Sequence, residues 1–501
     1  MQDMEDTCIQ KELLSGSLQR VKARFPTMEF PICTKQKKLE RCRHMINFLL
    51  KQKKNYNMRP SNYSTLLHFA AMNRVNESFN LILEDSSINV NAFIPRTKTT
   101  LLHVVNMEGT YEMAKTLLER GANVNVVDAF NFTPLHYACS NVKINFSIGS
   151  MSTESSFDSS ALIKDPKVVQ LLLEYGSALE IETISQRETP LLLSCQSGYL
   201  EIFKLLLQHG ADFYAVDRFG QNVLHKAVQS AHPGLIKIIL DKGFDSNHKN
   251  SLGRSPIHEY YSSKGTPEVL DLLIKFGADI NSRDYCENTP LHTACTRDFV
   301  NSVLYKYFLK RNPDINALNK SGETPLSVAV QMRDLSDDDL RVEVLENLCE
   351  HIAKLKAADK YICKENMFLV KNHPEIKEIY KKFEVELNKM KEEQVSSLSH
   401  FCYFYILKVS PRKLVAFVRN KKIMKKLASQ KYKEMFPLYS NSLTESINVA
   451  ISRRNFTATC ASRLCKHIKR NLPPLIVDQV FSHLSEKDLK NFEEAFINVR
   501  Q

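Results

Sequence analysis

The sequence contains no Trp and little Gly, with 14 Gly and 18 Pro in 501 residues. This scarcity excludes a collagen-like chain and argues against a β-rich protein, whose turns depend on Gly and Pro. It also leaves little material for the Gly-rich loops that cradle phosphates. The chain has no such loop, no H-E-x-x-H, no G-x-S-x-G and no protein-kinase motif set. The sequence therefore predicts a protein that is not an enzyme and that needs no cofactor.

Long apolar runs and paired cysteines are also missing. The longest apolar cluster, 401–407, is too short to span a bilayer, and the first residues, MQDMED, lack the apolar core of a secretory signal. The 12 Cys are scattered without a C-x-x-C pair, which is typical of reduced thiols. We therefore expect a cytoplasmic protein without a transmembrane segment, with the nucleus as a further location. The cluster Cys460, Cys465 and His467 matches no common zinc spacing, so no metal site is expected.

A repeat is the pattern that the sequence does contain. The hexapeptide TPLHTA at 289–294 has a near-complete copy, TPLHYA, at 133–138, and six looser copies. The eight copies begin at residues 65, 100, 133, 189, 222, 255, 289 and 324. Six of the seven spacings are 33 to 35 residues, and the seventh, 56, equals 33 plus an insert of 23. A fixed period of this length indicates a solenoid built from one supersecondary unit.

Each repeat carries signals that begin and end helices. The Thr or Ser before Pro can cap a first helix, because its hydroxyl accepts from free amides and Pro loses no hydrogen bond at the first helical position. A Leu-rich stretch such as 204–207 follows, and then a tail such as GANVN at 121–125 or GADIN at 277–281. Gly permits the left-handed conformation that ends a helix, and Asn or Asp favours a turn. Two helices and a turn are thus predicted for each repeat.

These motifs resemble the ankyrin-repeat family. The resemblance covers about 270 residues and implies an all-α solenoid of about eight repeats. In that family the His of the motif joins neighbouring repeats by hydrogen bonds. A metal site is the alternative role for these His residues, but they lie a repeat length apart and belong to different units, which favours the structural role. The residues concerned are His68, His103, His136, His225, His258 and His292.

Four segments are predicted along the chain. A basic amphipathic helix at 36–53 would cap the array, with a partner-binding helix as the alternative. The Ser-rich insert is interpreted as a tolerated loop, with a phosphorylated regulatory loop as the alternative. The segments are an N-terminal segment with the capping helix at 1–59, the array at 60–332 with the insert at about 141–163, a basic α-helical domain at 340–470, and a distinct C-terminus at 471–501.

The C-terminal segment carries a second recognisable pattern. Residues 472–489 read LPPLIVDQVFSHLSEKDL, in which two Pro would begin one helix and Ser485 would cap the next. This pattern resembles the start of an F-box, although Leu475 stands where the family usually has Glu and no Trp-bearing later part follows. An array ending in a truncated F-box is similar to the PRANC arrangement of poxvirus and parasitoid-wasp ankyrin proteins. The predicted docking residues are Leu472, Pro473, Ile476, Val480, Phe481, Leu484 and Leu489.

The resemblance implies that these helices dock on the Skp-type adaptor of a cullin-RING (SCF-type) ubiquitin ligase. The expected function is therefore a substrate-recruiting adaptor whose array binds a protein target. The alternative is a stoichiometric inhibitor that sequesters a signalling protein such as an NF-κB-type factor, without ligase recruitment. Exposed aromatic and basic side chains at the turns between repeats are the expected target-binding elements. They are Phe130, Asn131, Arg218, Phe219, Tyr285 and Lys320.

The positive charge of the chain is concentrated in one stretch. The whole chain has 68 Lys and Arg against 56 Asp and Glu, and residues 401–470 alone have 16 against two. A helical basic face there could bind nucleic acid or acidic membranes. However, Ile423, Met424 and Leu427 supply a stripe to be buried, which favours a solvated face of a folded domain, so a nucleic-acid partner is not expected. The face consists of Lys421, Lys422, Lys425 and Lys426.

Overall fold

The structure of the chain is a computed structural model. It describes residues 76–84, 88–94, 97–108, 110–141, 164–261, 265–295, 302–331, 338–395, 402–409 and 411–468, together with Leu67 and Ala71. Within these ranges the regular elements are helices, and extended backbone pairs only in isolated bridges such as Phe93 with Thr100. The predicted all-α class is confirmed for them. The chain divides into two compact units, one of residues 1–294 with 310–313 and one of residues 295–309 with 314–501.

Most of the described helices of the first unit are short and form pairs, each pair belonging to one repeat. A 3₁₀ helix, Pro256–Tyr261, takes the place of one first helix. The α-helices are α1 (Asn76–Leu83), α2 (Leu101–Glu108), α3 (Tyr111–Glu119), α4 (Pro134–Cys139), α5 (Pro166–Glu174), α6 (Pro190–Ser197), α7 (Leu200–Gln208), α8 (Val223–Ser230), α9 (Pro233–Asp241), α10 (Pro267–Lys275) and α11 (Pro290–Ala294). The two helices of a pair pack together, and first helices such as α6 and α8 also pack on each other.

The ends of these helices follow the sequence signals. The hydroxyl of Thr133 accepts from the backbone N–H of His136, and the side chain of Asn222 accepts from two N–H groups at the start of α8. Pro occupies the first helical position of α4 and α6, where no hydrogen bond is lost. Gly121 and Gly277 follow second helices with φ of 80° and 88°, the left-handed conformation that Gly adopts without strain.

The core runs along the stack between the two layers of helices. In the repeat of α6 and α7 it contains Leu192, Phe203 and Leu206, whose side chains are fully buried. Removing such a side chain from water stabilises the fold by about 1.5–3 kcal/mol. Neighbouring repeats bury these faces mutually, because a single helix pair leaves one side of its core open.

The second unit begins with short helices and continues into longer ones. Its helices are α12 (Ser302–Leu309), α13 (Pro325–Val330), α14 (Asp338–Ala357), α15 (Lys364–Asn372), α16 (Pro374–Glu392), α17 (Tyr403–Lys408), α18 (Pro411–Val418), α19 (Lys421–Ala428), α20 (Tyr432–Met435) and α21 (Ser440–Ile468). Helix α14 packs against α16, and α18 packs against α21. Aromatic rings fill part of this core, with the ring centroids of Tyr403 and Phe436 5.1 Å apart.

The bonding pattern of the repeats continues past the last T-P-L-H copy. In the first unit the side chain of Asn247 donates to the carbonyl of Gly277 (2.8 Å) and accepts from the N–H of Asp279 (2.8 Å). In the second unit Asn316 bonds in the same way to the carbonyl of Tyr361 (3.1 Å) and the N–H of Cys363 (2.9 Å). Helices α13 and α14 therefore stand as the two helices of a further repeat, and this pattern crosses the predicted boundary at 332–340.

The length of α14 explains why the sequence period stops there. This helix has 20 residues, whereas the second helices α3, α5, α7 and α9 each have nine. The next turn therefore lies further along the chain than the repeat period predicts, and no T-P-L-H motif follows it. The predicted capping helix, most of the Ser-rich insert and the F-box-like residues 472–489 lie outside the described residues.

Candidate protein-binding surface

A closed turn connects each repeat to the first helix of the next. At Asp217 one carboxylate oxygen accepts from the N–H groups of Phe219 and Gln221, both at 2.8 Å. The backbone closes the same loop, because the N–H of Asp217 donates to the carbonyl of Gln221 (2.9 Å). Asp128, Asn250 and Asp284 hold their turns in the same manner. The residues at the tip of each turn are thereby held in a fixed conformation facing solvent.

Backbone hydrogen bonds join each turn to the next one. Five such bonds, 2.7 to 3.0 Å long, run from an N–H in one turn to a carbonyl in the preceding turn. The pairs are Ala129 with Thr97, Ile184 with Phe130, Arg218 with Gln186, Ser251 with Phe219, and Tyr285 with Leu252. The turns therefore form a continuous edge along the first unit rather than separate loops.

This edge carries one large apolar side chain at each of five successive turns. Their exposed fractions range from 39% to 67%, so each ring or aliphatic chain is only partly covered by its neighbours. Large apolar side chains exposed in a row along one edge make that edge a candidate protein-binding surface. The five residues, named the tip row below, are Phe130, Ile184, Phe219, Leu252 and Tyr285.

A close contact between neighbouring turns fixes the ring of Tyr285. Gly253 has φ of 74°, and a Cβ added to it would lie 2.7 Å from the backbone N of Tyr285 and 2.6 Å from its ring. The Tyr285 ring therefore packs directly on the glycine backbone while 60% of the residue stays exposed. A partly immobilised aromatic residue loses little conformational entropy when a partner covers it.

Most of the predicted target-binding residues lie at solvent-facing turns. Phe130, Phe219 and Tyr285 belong to the tip row, and Arg218 is exposed beside Phe219. Lys320 is exposed at the corresponding turn of the second unit, next to its anchoring residue Asn319. The binding role of these residues stays a prediction.

Asn131 has a different environment from the other predicted residues. Its side-chain amide donates to the carbonyl of Glu182 at 2.7 Å, and its φ is 63°. The amide therefore ties its turn to the next repeat.

Two residues of the tip row, Ile184 and Leu252, were not predicted from the sequence. Leu252 stands two residues after Asn250, as Phe219 does after Asp217, so alignment of the turns by their anchoring residues could have found it.

Four of the six motif histidines, His103, His136, His225 and His258, join adjacent repeats, as the family resemblance implied. His68 lies outside the described residues. In His136, Nδ1 accepts from the backbone N–H of Thr133 (3.0 Å) and Nε2 contacts the carbonyl of Glu188 (3.2 Å). The N–H can only donate and the carbonyl can only accept, so Nε2 carries the proton of a neutral ring. His103, His225 and His258 make the same two contacts, with Nε2–carbonyl distances of 2.9, 3.0 and 3.2 Å.

Burial keeps these imidazole rings neutral. It lowers the pKa of His136 and of His225 to about 4, and it lowers the pKa of His103 and His258 below the ordinary value as well. A neutral ring is what the hydrogen-bond pattern requires. Among the described residues, no group of three His, Cys, Asp or Glu side chains is arranged to hold a metal ion.

A buried ion cluster supports the turn that carries Phe219. The ammonium of Lys226 lies 2.7 Å from Glu188 and 2.9 Å from Asp217, and all three side chains are less than 10% exposed. Burial lowers the pKa of Lys226, but the two carboxylates outweigh that effect and raise it. At the equivalent position of an earlier repeat, the hydroxyl of Tyr137 donates to Asp128 (2.7 Å). In both arrangements a polar group lies within 2.9 Å of the second oxygen of the turn-anchoring Asp.

The predicted basic face lies on α19 of the second unit. Its four Lys are exposed, whereas Ile423 and Leu427 of the same helix are buried. No helix in the described part of the chain combines the length and apolarity needed to cross a membrane.

The family model for ankyrin repeats (three copies) matches residues 36–128, 67–147, 159–250 and 253–359. These matches cover more than half of the chain, which therefore belongs to the ankyrin-repeat family. Proteins of this fold are typically non-enzymatic, and their repeats indicate protein–protein interaction.

Two related proteins and one solved structure illustrate the similarity of this chain to known proteins. The putative ankyrin repeat protein FPV232 of Fowlpox virus (strain NVSL) is 25% identical over 400 residues, which cover 70% of this chain and 81% of that protein. The Homo sapiens palmitoyltransferase ZDHHC13 is 27% identical over 254 residues, half of this chain but only 36% of that protein. The crystal structure of the human ASB11 ankyrin repeat domain is 24% identical, covers 49% of this chain and 97% of that domain, and gives a TM-score of 0.39.

Proposed function

We propose that this chain is a substrate-recruiting adaptor. The tip row and the side chains beside it bind a protein target. The C-terminal F-box-like segment docks on the Skp-type adaptor of a cullin-RING ubiquitin ligase and so delivers the target for ubiquitination. The protein acts through two separate surfaces and performs no chemistry of its own.

The target-binding half of the proposal depends on the tip row. Two aromatic anchors, Phe219 and Tyr285, flank the aliphatic Leu252, and each stands on a turn that is closed by an anchoring Asp or Asn. Aromatic side chains of this kind supply much of the affinity at protein interfaces. A preorganised edge also avoids the entropic cost of ordering loops when the partner binds.

The ligase-docking half depends on the sequence of residues 472–489. Its apolar positions, Ile476, Val480 and Leu484, are spaced to lie on one face of a helix. Such a face suits a partner that offers a hydrophobic groove. The chain is 25% identical to a fowlpox virus ankyrin repeat protein over 400 residues, and poxvirus ankyrin proteins are the group to which the resemblance of the C-terminal segment points.

Point variants of the full chain can separate the two surfaces. One variant carries Phe219→Ser, Leu252→Ser and Tyr285→Ser, and the other carries Ile476→Glu and Val480→Glu. Each tagged chain is recovered from cells, and its bound proteins are quantified by mass spectrometry. We expect the second variant to lose the Skp-type adaptor and cullin while it keeps the other partners. We expect the tip-row variant to lose those partners and keep the adaptor and cullin.

Phe368→Ser provides a matched control for the loss of exposed apolar surface. Phe368 is 65% exposed but belongs to α15 of the second unit, outside the tip row. This control should keep both sets of partners. If the unaltered chain bound no adaptor or cullin but still captured a target through the tip row, the alternative function would hold. The chain would then be a stoichiometric inhibitor that sequesters a signalling protein, for example one of the NF-κB type.

A further inference from the structure

A strongly basic surface lies on α18 and α19 of the second unit. Residues 411–435 contain nine Lys and Arg and a single acid, Glu434. Arg454, from α21, is added at the corner between the two helices, where its guanidinium donates to the carbonyl of Val418 (3.0 Å). The surface is named the basic face and consists of Lys413, Arg419, Lys421, Lys422, Lys425 and Arg454.

The lysines of this face are held on a rigid helix. The Asn420 side chain caps α19 by accepting from the N–H groups of Lys422 (2.9 Å) and Ile423 (3.4 Å). Ile423 and Leu427 anchor the opposite side of the helix in the core. Lys421 and Lys425 are one helical turn apart, so their Cα atoms are separated by about 6 Å along the surface. The cationic groups therefore form an ordered array rather than a flexible tail.

Little negative charge neutralises this array. Lys421, Lys422 and Lys425 have no carboxylate within 4 Å in the described part of the chain, whereas their neighbour Lys426 lies 4.0 Å from Glu393. Arg419 and Arg454 lie near each other at this corner, and partial desolvation together with the charge of Arg454 lowers the pKa of Arg419. A merely solvated face usually interleaves both signs of charge, and this one does not.

We propose that the basic face binds the phosphate backbone of a double-stranded nucleic acid without reading its sequence. The positive charges of this face follow one another within a helical turn, a spacing that suits the closely and regularly placed phosphates of a duplex. None of the large apolar side chains that the structure describes in 411–435 is exposed. The face therefore offers no aromatic platform for single-stranded bases and no apolar wedge for a membrane.

The structure adds two observations to the sequence-based expectation that this face is only solvated. The sequence indicated a solvated face because an apolar stripe separates the lysines, and that stripe is indeed buried. The sequence did not show that Arg454, about 30 residues further along, joins the same corner, or that three of the four lysines lack a carboxylate partner. This inference is independent of the proposed adaptor function.

Fluorescence anisotropy with the full chain tests the proposal. The probes are a labelled 20-base-pair duplex DNA and a duplex RNA of the same length, both of arbitrary sequence, in 50 to 200 mM salt. Contacts by about five cations give a slope of log K against log salt of about −4.5. The variant Lys421→Gln, Lys422→Gln, Lys425→Gln should bind at least tenfold more weakly and flatten the slope by about three units. Comparison of the two duplexes identifies DNA or RNA as the source of the phosphates.

The control carries Lys371→Gln, Lys377→Gln and Lys381→Gln, which remove the same charge from exposed positions of α15 and α16. It should bind the duplexes as the unaltered chain does. The proposal is overturned if neither duplex binds, or if the control weakens binding as much as the α19 variant. Tighter binding to single-stranded DNA, to a polyglutamate peptide or to phosphatidylserine vesicles would also overturn it.

Discussion

Acid should destabilise the array through its buried histidines. His136 and His225 are neutral in the fold, with pKa values lowered by burial to about 4, against an ordinary value of 6.5. Below pH 6.5 the unfolded chain binds more protons at these positions than the folded chain. Their contribution is therefore fully present above pH 6.5 and is lost as the pH falls from 6.5 towards 4.

The magnitude follows from these two pKa values. At pH 5 an unfolded His is almost fully protonated, while the folded ring at His136 or His225 stays mostly neutral. The free energy of unfolding then falls by about 2 kcal/mol for each residue relative to pH 7, or by about 4 kcal/mol for both. His103 and His258 act in the same direction, because burial lowers their pKa values too.

Urea unfolding of the full chain at pH 7 and pH 5, followed by far-ultraviolet circular dichroism, measures this loss. The double variant His136→Gln, His225→Gln should be less stable at pH 7, because it loses the contacts between repeats. It should lose about 4 kcal/mol less on acidification than the unaltered chain. His209→Gln, an exposed substitution, should keep the full acid effect. An acid loss below about 1 kcal/mol, or an equal loss in the double variant, would refute the reasoning.

Three further substitutions test the turns, each by thermal or urea unfolding. Lys226→Met should cost about 3–5 kcal/mol, because two buried carboxylates lose their cation; a cost below about 1 kcal/mol would contradict the buried cluster. Gly253→Ala should destabilise by at least about 1 kcal/mol, since its Cβ would meet Tyr285 at φ of 74°, and an unchanged midpoint would disprove this contact. Glu287→Gly should stabilise by about 1 kcal/mol, because Glu287 adopts φ of 60°, and a lower midpoint would contradict the strain.

The sequence predicted the fold because local signals and the repeat agree. Thr133 and Pro134 begin a helix by capping and by a preset φ, and the glycines after second helices end them, without reference to distant residues. The His of the motif could be assigned through the family, since its partner lies in the next repeat, 29 or 30 residues along the chain or 52 where the insert intervenes. These features depend on residues that are close together in the sequence, so they can be recognised from the sequence alone.

The remaining features depend on contacts between distant residues. The bond of Asn316 to Tyr361 extends the repeat pattern across a 20-residue helix that hides the period. The sequence predicts Asn131 as a target-binding residue, but its side-chain amide donates to the carbonyl of Glu182 in the next repeat. Lys226 gives no signal in its own motif, because one of the two carboxylates that surround it, Glu188, comes from the preceding turn of the stack. Such pairings become visible only when the repeats are stacked.

Direct binding of the purified full chain to a purified Skp-type adaptor tests the central claim. Isothermal titration calorimetry measures this interaction without other cellular proteins. The account predicts saturable binding that Ile476→Glu with Val480→Glu abolishes and that the tip-row substitutions at Phe219, Leu252 and Tyr285 leave unchanged. No heat of binding with a folded, unaltered chain would contradict the adaptor function and favour an ankyrin protein that sequesters its target.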